Sequence, residues 1–184
     1  MLFRSGVRAY IALTKPRIVE LLLITTVPAM FLAAHGVPPL PLIVATLVGG
    51  TLSAASANVF NCIVDADIDA QMARTAHRPL VAGSISIGSA LIFGSLLGVA
   101  SFLFLAATTT MMAAFLSLLA LGFYVLVYTL ILKRSTPQNI VIGGAAGALP
   151  PVIGWAAGTG DISRSEEHTS ELQSHHDLVC RLLL

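Results

Sequence analysis

The chain has 184 residues, of which 56% are hydrophobic and only 10% charged, with a mean hydropathy of +0.88. These figures exclude a soluble globular domain, and a net charge of +1 leaves no basic excess with which to bind nucleic acid. Two cysteines, Cys62 and Cys180, are too few and too differently placed for a disulfide framework.

Taken in chain order, the charges before residue 164, Asp161 apart, gather into three clusters separated by long uncharged spans. The spans predict helices over about 18–35, 41–64, 84–106, 110–132 and 138–158, each near the roughly 20 residues that cross a bilayer core. No charge lies between Pro79 and Leu132, which is too long for one crossing and fits two helices joined by a tight turn at Thr108, Thr109 and Thr110. The basic residues Arg4, Arg8, Lys15, Arg17, Arg74, Arg78, Lys133 and Arg134 then all fall on one side, whereas the loops at 36–40 and 108–110 carry none. The amino terminus and the loops after the second and fourth helices are therefore predicted to be cytoplasmic. The basic start and Ala33-Ala34 also resemble a cleaved signal peptide, but the apolar run continues straight into the polytopic pattern.

Small residues crowd the second span (Gly49, Gly50, Ser53, Ala54, Ser56, Ala57) and the fifth (Gly143, Gly144, Gly147, Gly154), as expected where helices pack closely in lipid. Pro28 and Pro150-Pro151 are expected to break regular hydrogen bonding, which a bilayer tolerates only beside protein or a cavity.

At the end of the second span the chain reads NCIVDADIDA. Asn61, Asp65 and Asp69 are spaced i, i+4, i+8 and share one face if the helix continues, while Asp67 points elsewhere. Carboxylates stacked one turn apart repel unless a cation sits between them, and Mg²⁺ takes one or two carboxylates, some waters and phosphate oxygens. Arg74, Arg78, Lys133 and Arg134 lie on the same side and suit the anionic part of a substrate. The same residues also fit an ordinary solvated loop past a helix end, and spacing alone leaves both readings open.

The stretch NCIVDADIDAQMARTAHRPLVAG, residues 61–83, resembles the first aspartate-rich motif of the UbiA-like intramembrane prenyltransferase superfamily. ALTKPRIVELLL at 12–23 and YTLILKRSTPQNIVIGGAAGALPPVIGWAAGTG at 128–160 resemble its haem-farnesylating branch, so the likeness covers residues 10–160. It implies an all-α polytopic transmembrane helix bundle, with about five of an expected nine helices in this chain. It implies transfer of a farnesyl group from farnesyl diphosphate to haem B, giving haem O and diphosphate, in a bacterial inner membrane. Asp65 and Asp69 would hold Mg²⁺, with Asn61 as a further metal ligand or orienting group, and Arg74, Arg78, Lys133 and Arg134 would stabilise the departing diphosphate. Tyr128 is a candidate for containing an allylic cation, and Asn139 for substrate contact or helix capping. Lys15 and Arg17, in the TKPR element, read chiefly as topology anchors. His35 and His77 are not expected to ligate a haem that is a substrate. The implied partners are farnesyl diphosphate, haem B and the lipid bilayer, and a haem A synthase partner does not follow from the residues. Other readings are a quinone-pathway aromatic prenyltransferase and a non-enzymatic transporter or scaffold. A transporter predicts acids near mid-membrane, whereas these sit at a helix end.

The last 21 residues, RSEEHTSELQSHHDLVCRLLL, hold six of the 19 charges and three of the five histidines, and break every pattern above. RSEEHTSELQS resembles a translated sequencing adapter, so 1–163 is expected to be the amino-terminal part of a prenyltransferase domain and 164–184 a non-native tail. The spacing of His168, His175, His176 and Cys180 matches no regular zinc pattern. The second acidic motif of the superfamily is absent, so the chain alone is expected to be inactive. Resequencing the genomic locus should show no native in-frame codons for the tail; finding them would overturn that expectation.

Overall fold

The computed structural model describes residues 2–73, 75, 77–132 and 139–160, and every regular element among them is helical. In chain order these are α1 (Leu2–Thr14), α2 (Pro16–Ala33), α3 (Leu40–Val64), the single turn α4 (Ala66–Asp69), α5 (Ile87–Thr108) and α6 (Met111–Gly122). α6 passes directly into a π-helical segment, Phe123–Leu132, and α7 (Asn139–Thr159) closes the described chain. Among the described residues α2, α3, α5 and the continuous run Met111–Leu132 are long and apolar enough to cross a membrane.

The chemistry at the helix ends sets where each begins. α5 starts at Ile87 rather than near Ser84, because the Ser86 hydroxyl accepts the Ser89 N–H at 3.1 Å and caps it. Thr110 does the same for α6, accepting from Ala113 N at 3.1 Å, so the expected turn is residues 109 and 110. The helices continue through their prolines, α2 through Pro28 and α7 through Pro150 and Pro151. The ring of Pro151 still leaves the Gly147 carbonyl without its helical N–H donor, and Gly147 and Pro150 both line a cavity in the bundle.

Close packing at small residues holds the spans together. The most extensive helix pair is α3 with α5, where Ser56 Oγ donates to the Gly94 carbonyl at 2.7 Å and Ser101 Oγ donates to that of Gly49 at 2.8 Å. α2 and α7 form the next. There a Cβ on Gly154 would lie 2.7 Å from the Thr26 carbonyl oxygen, so no side chain fits. The outward faces carry Leu21, Ile24, Ile92, Leu96, Leu103 and Phe115 exposed, the pattern of a surface that meets acyl chains rather than water.

α1 lies outside the five expected spans. Leu13 is buried with Val59, Cys62, Ile85 and Ala90, and Ala9 and Tyr10 pack against the same cluster. Tyr10 meets Phe93 edge-on, with ring centroids 4.9 Å apart. Val7 and Ile11 face outward, so α1 has the two-sided character of a helix lying in a membrane interface.

Replacing Gly154 by alanine should destabilise the bundle by about 1–3 kcal/mol, because the new methyl has to displace backbone of α2. Gly147→Ala, where a Cβ meets nothing within 4 Å, should be neutral or mildly stabilising. Thermal unfolding of the two variants in detergent checks the contrast.

Candidate functional site

The helical course of α3 continues past its apolar run. Asp65 N donates to the Asn61 carbonyl at 3.0 Å and Asp69 N to that of Asp65 at 2.8 Å, so the i, i+4, i+8 set stacks on one face. That face turns inward: Asn61, Asp65 and Asp69 are 4%, 3% and 6% exposed, whereas Asp67 faces out. Buried carboxylates carry a large desolvation cost that must be met by positive charge or hydrogen bonds.

Two cations reach this face. Arg78 Nη1 forms an ion pair with Asp69 Oδ2. The loop delivers it there because Thr75, itself buried, donates through Oγ1 to the Asp69 carbonyl at 2.9 Å, and Arg78 N donates to the Thr75 carbonyl at 3.0 Å. From the other side Lys15 Nζ donates to Asn61 Oδ1 at 2.7 Å. Asn61 Nδ2 in turn donates to Thr129 Oγ1 at 3.5 Å, and Thr129 donates to the Tyr124 carbonyl at 2.8 Å. Asn61 thereby ties the α1–α2 break to the π-helical segment. Such segments frequently mark functional positions in membrane and soluble helices alike.

Beneath the polar face lies a cavity of about 220 Å³, open on one side. Its walls come from α2, α3, α6, the π-helical segment and α7, and Leu22, Ala57, Leu121 and Ile153 make them largely apolar. Asn58 and Tyr124 stand at its polar margin, and Asp65 lies within electrostatic reach of Tyr124. The Tyr124 and Tyr128 rings pair with centroids 5.2 Å apart. A buried acid face with cations on both flanks, one turn of α3 beyond the Asn58 wall of an apolar chamber, suits an amphiphile with an anionic head and a greasy tail.

Comparison with known proteins is consistent with that shape. Residues 22–173 match the UbiA prenyltransferase family. The chain belongs to the UbiA prenyltransferase family. It is 60% identical over 159 residues to protoheme IX farnesyltransferase 1 of Saccharopolyspora erythraea, covering 86% of this chain and 51% of the relative. The protoheme IX farnesyltransferase of Clavibacter sepedonicus is 60% identical over 156 residues, 85% of this chain and 51% of the relative. That of Cutibacterium acnes is 54% identical over 159 residues, 86% and 47% respectively. The chain thus spans about half the length of the curated relatives it matches. No solved structure matches it. The family match extends past Ser163 into the stretch expected to be non-native.

For a UbiA-family chain the oxygen donors of Asp65, Asp69 and Asn61 are the right type for a hard cation such as Mg²⁺. Among the described residues no three His, Cys, Asp or Glu side chains gather as a metal cluster, but Mg²⁺ requires only one or two carboxylates. The side-chain oxygen of Asn61, Oδ1, already accepts from Lys15, an arrangement that favours the orienting role of Asn61 over direct ligation. Arg74, Lys133 and Arg134 lie outside the described residues, as do the tail histidines and Cys180. Asn139 is the first residue of α7, and its side chain is outside the described part. His35 and His77 are both exposed, remote in character from the buried face. Sequence reasoning missed Lys15 as a site residue and Tyr124 as a wall of the cavity. A signal for Tyr124 existed, since it precedes Tyr128 by four residues and faces the same side of a regular helix.

Arg78→Met removes the ion pair from an Asp69 side chain that is 8% exposed, and should cost about 1–3 kcal/mol of stability. Asp69→Asn in the same chain should recover part of that loss, a coupling that a double-mutant cycle of unfolding midpoints measures.

Proposed function

We propose that this chain forms the prenyl-diphosphate half of an enzyme that transfers a farnesyl group from farnesyl diphosphate to haem B, giving haem O and diphosphate. The observation that carries the reading is the inward-turned face of Asn61, Asp65 and Asp69, flanked by Lys15 and Arg78 above an apolar chamber. The names of relatives at 54–60% identity supply the donor and acceptor.

Asp65 and Asp69 would hold Mg²⁺, which neutralises the diphosphate and makes it a better leaving group. Arg78 contributes a guanidinium where negative charge grows as the allylic carbon–oxygen bond breaks, and Arg74, Lys133 and Arg134 are assigned the same task. The apolar walls keep water from the allylic cation until the acceptor vinyl group reaches it. The Tyr124 ring, backed by Tyr128, offers a π-face that stabilises positive charge at the chamber's polar margin. Asn139 is assigned to substrate contact at the start of α7. The basic residues of the amino terminus and of the aspartate loop support a topology with both on the cytoplasmic side of a bacterial inner membrane.

In a full-length relative, alanine at the positions matching Asp65 or Asp69 should lower haem O formation about a hundredfold or more. Replacing haem B by 4-hydroxybenzoate should give no prenylated product. The 184-residue chain supplied with haem B, farnesyl diphosphate and Mg²⁺ should form no haem O. Undiminished haem O from the alanine variants would refute the site, and haem O from this chain alone would refute the need for a second half.

A further inference from the structure

Lys15 is one of two residues among those described, outside glycine, with a left-handed backbone, at φ 50° and ψ 64°. A lysine there is strained, and the proline at position 16 narrows its choices further. Strain of this kind persists where the surroundings over-determine it, and it clusters at functional sites.

Three consecutive residues are held, each by a residue on one face of α3. The Leu13 carbonyl accepts from Cys62 Sγ at 3.9 Å, the Thr14 carbonyl accepts from Asn58 Nδ2 at 2.9 Å, and Lys15 Nζ donates to Asn61 Oδ1 at 2.7 Å. The Lys15 carbonyl at the same time accepts from Ile18 N at 3.0 Å and starts α2. The turn thus aims an ammonium inward, onto the face that also carries Asp65 and Asp69. Arg17, two residues on, is exposed, as a residue that only anchors topology should be. Lys15 is partly covered, and it lies near enough to Cys62 to interact with it electrostatically, as Arg78 and Asp69 also do. Counting the described groups, Lys15 and Arg78 balance Asp65 and Asp69. Without Lys15 the face is negative before any anion arrives.

We infer that Lys15 is a substrate-binding residue, whose ammonium is carried by the strained turn to the aspartate face and takes the diphosphate group of the prenyl donor. This rests on the reading of the aspartate face as a diphosphate site. A lone cation in a partly desolvated setting makes charge-assisted hydrogen bonds to phosphate oxygens from the side opposite Arg78. The turn also makes α1 part of the site: a helix with an outward apolar face sets the depth at which the ammonium stands.

The test uses the 184-residue chain in lipid nanodiscs, titrated calorimetrically with inorganic diphosphate in the presence of Mg²⁺. Lys15→Gly and Lys15→Asn accept a left-handed backbone and remove the ammonium; Lys15→Arg keeps the charge. Binding by the glycine and asparagine variants should be at least about tenfold weaker, the size of one charge-assisted contact, and the arginine variant should stay close to wild type. The unfolding temperature of Lys15→Gly should be no lower than that of wild type, because glycine relieves the turn. A purely structural lysine gives the reverse: lower unfolding temperatures with diphosphate affinity unchanged. If the glycine and asparagine variants bind as wild type while Asp69→Asn does not, the role of Lys15 is refuted and the aspartate site stands. If wild type binds no diphosphate, both are refuted.

Discussion

Hydrocarbon offers no hydrogen bonds, so every polar group within the bundle needs a protein partner, and the arrangement of helices follows from meeting that demand. Serine and threonine hydroxyls meet it locally by donating to carbonyls, within a helix as Thr46 does to Leu42 or across helices as Ser56 and Ser101 do. The cross-helix bonds need backbones in close approach, which is why they occur beside Gly49, Gly94 and Gly98. The carboxylates cannot be satisfied in this way. They sit at the end of α3, where a loop can return with Arg78 and the α1–α2 break can supply Lys15.

The same demand explains why a cavity is stable here. Its walls are largely apolar, and of its polar lining Asn58 and Tyr124 stand closest to the end that carries the acids. On the proposed reading, the anionic head of an amphiphile enters at that end together with Mg²⁺, and its tail fills the apolar space below. Helix packing and ligand shape are therefore two results of one constraint, since small residues that allow contact on one side of α3 leave room on the other.

Much of this was legible in the sequence. Charge-free spans near 20 residues in length announce membrane helices because charges are expensive in lipid, and the signal survives without any knowledge of tertiary contacts. The spacing of Asn61, Asp65 and Asp69 was equally plain, because a helix converts a four-residue step into a shared face. α1 was obscured by its shortness and its arginines: Ala9, Tyr10 and Leu13 do have helical spacing, but their burial depends on a groove formed by α3 and α5. Lys15 was hidden for a different reason. Its direction is set by a backbone angle that no residue type other than glycine advertises, and a lysine beside a membrane helix ordinarily points outward. Tyr124 was passed over because the widened segment in which it lies has no compositional mark: FYVLVYTLIL would serve as well for a regular helix. The prolines cost hydrogen bonds without ending a helix, since neighbouring helices let a membrane helix continue through them.

The π-helical segment adds a constraint of register. Its looser winding lets Thr129 donate to a carbonyl five residues back and receive Asn61, while Leu126, Leu130 and Ile131 still look out to lipid. Insertion or deletion of a single residue between Phe123 and Leu132 would therefore act as a rotation, turning everything beyond it about the helix axis. The fourth crossing is in this sense a gear with a fixed number of teeth, and its length is tied to the orientation of an asparagine on another helix.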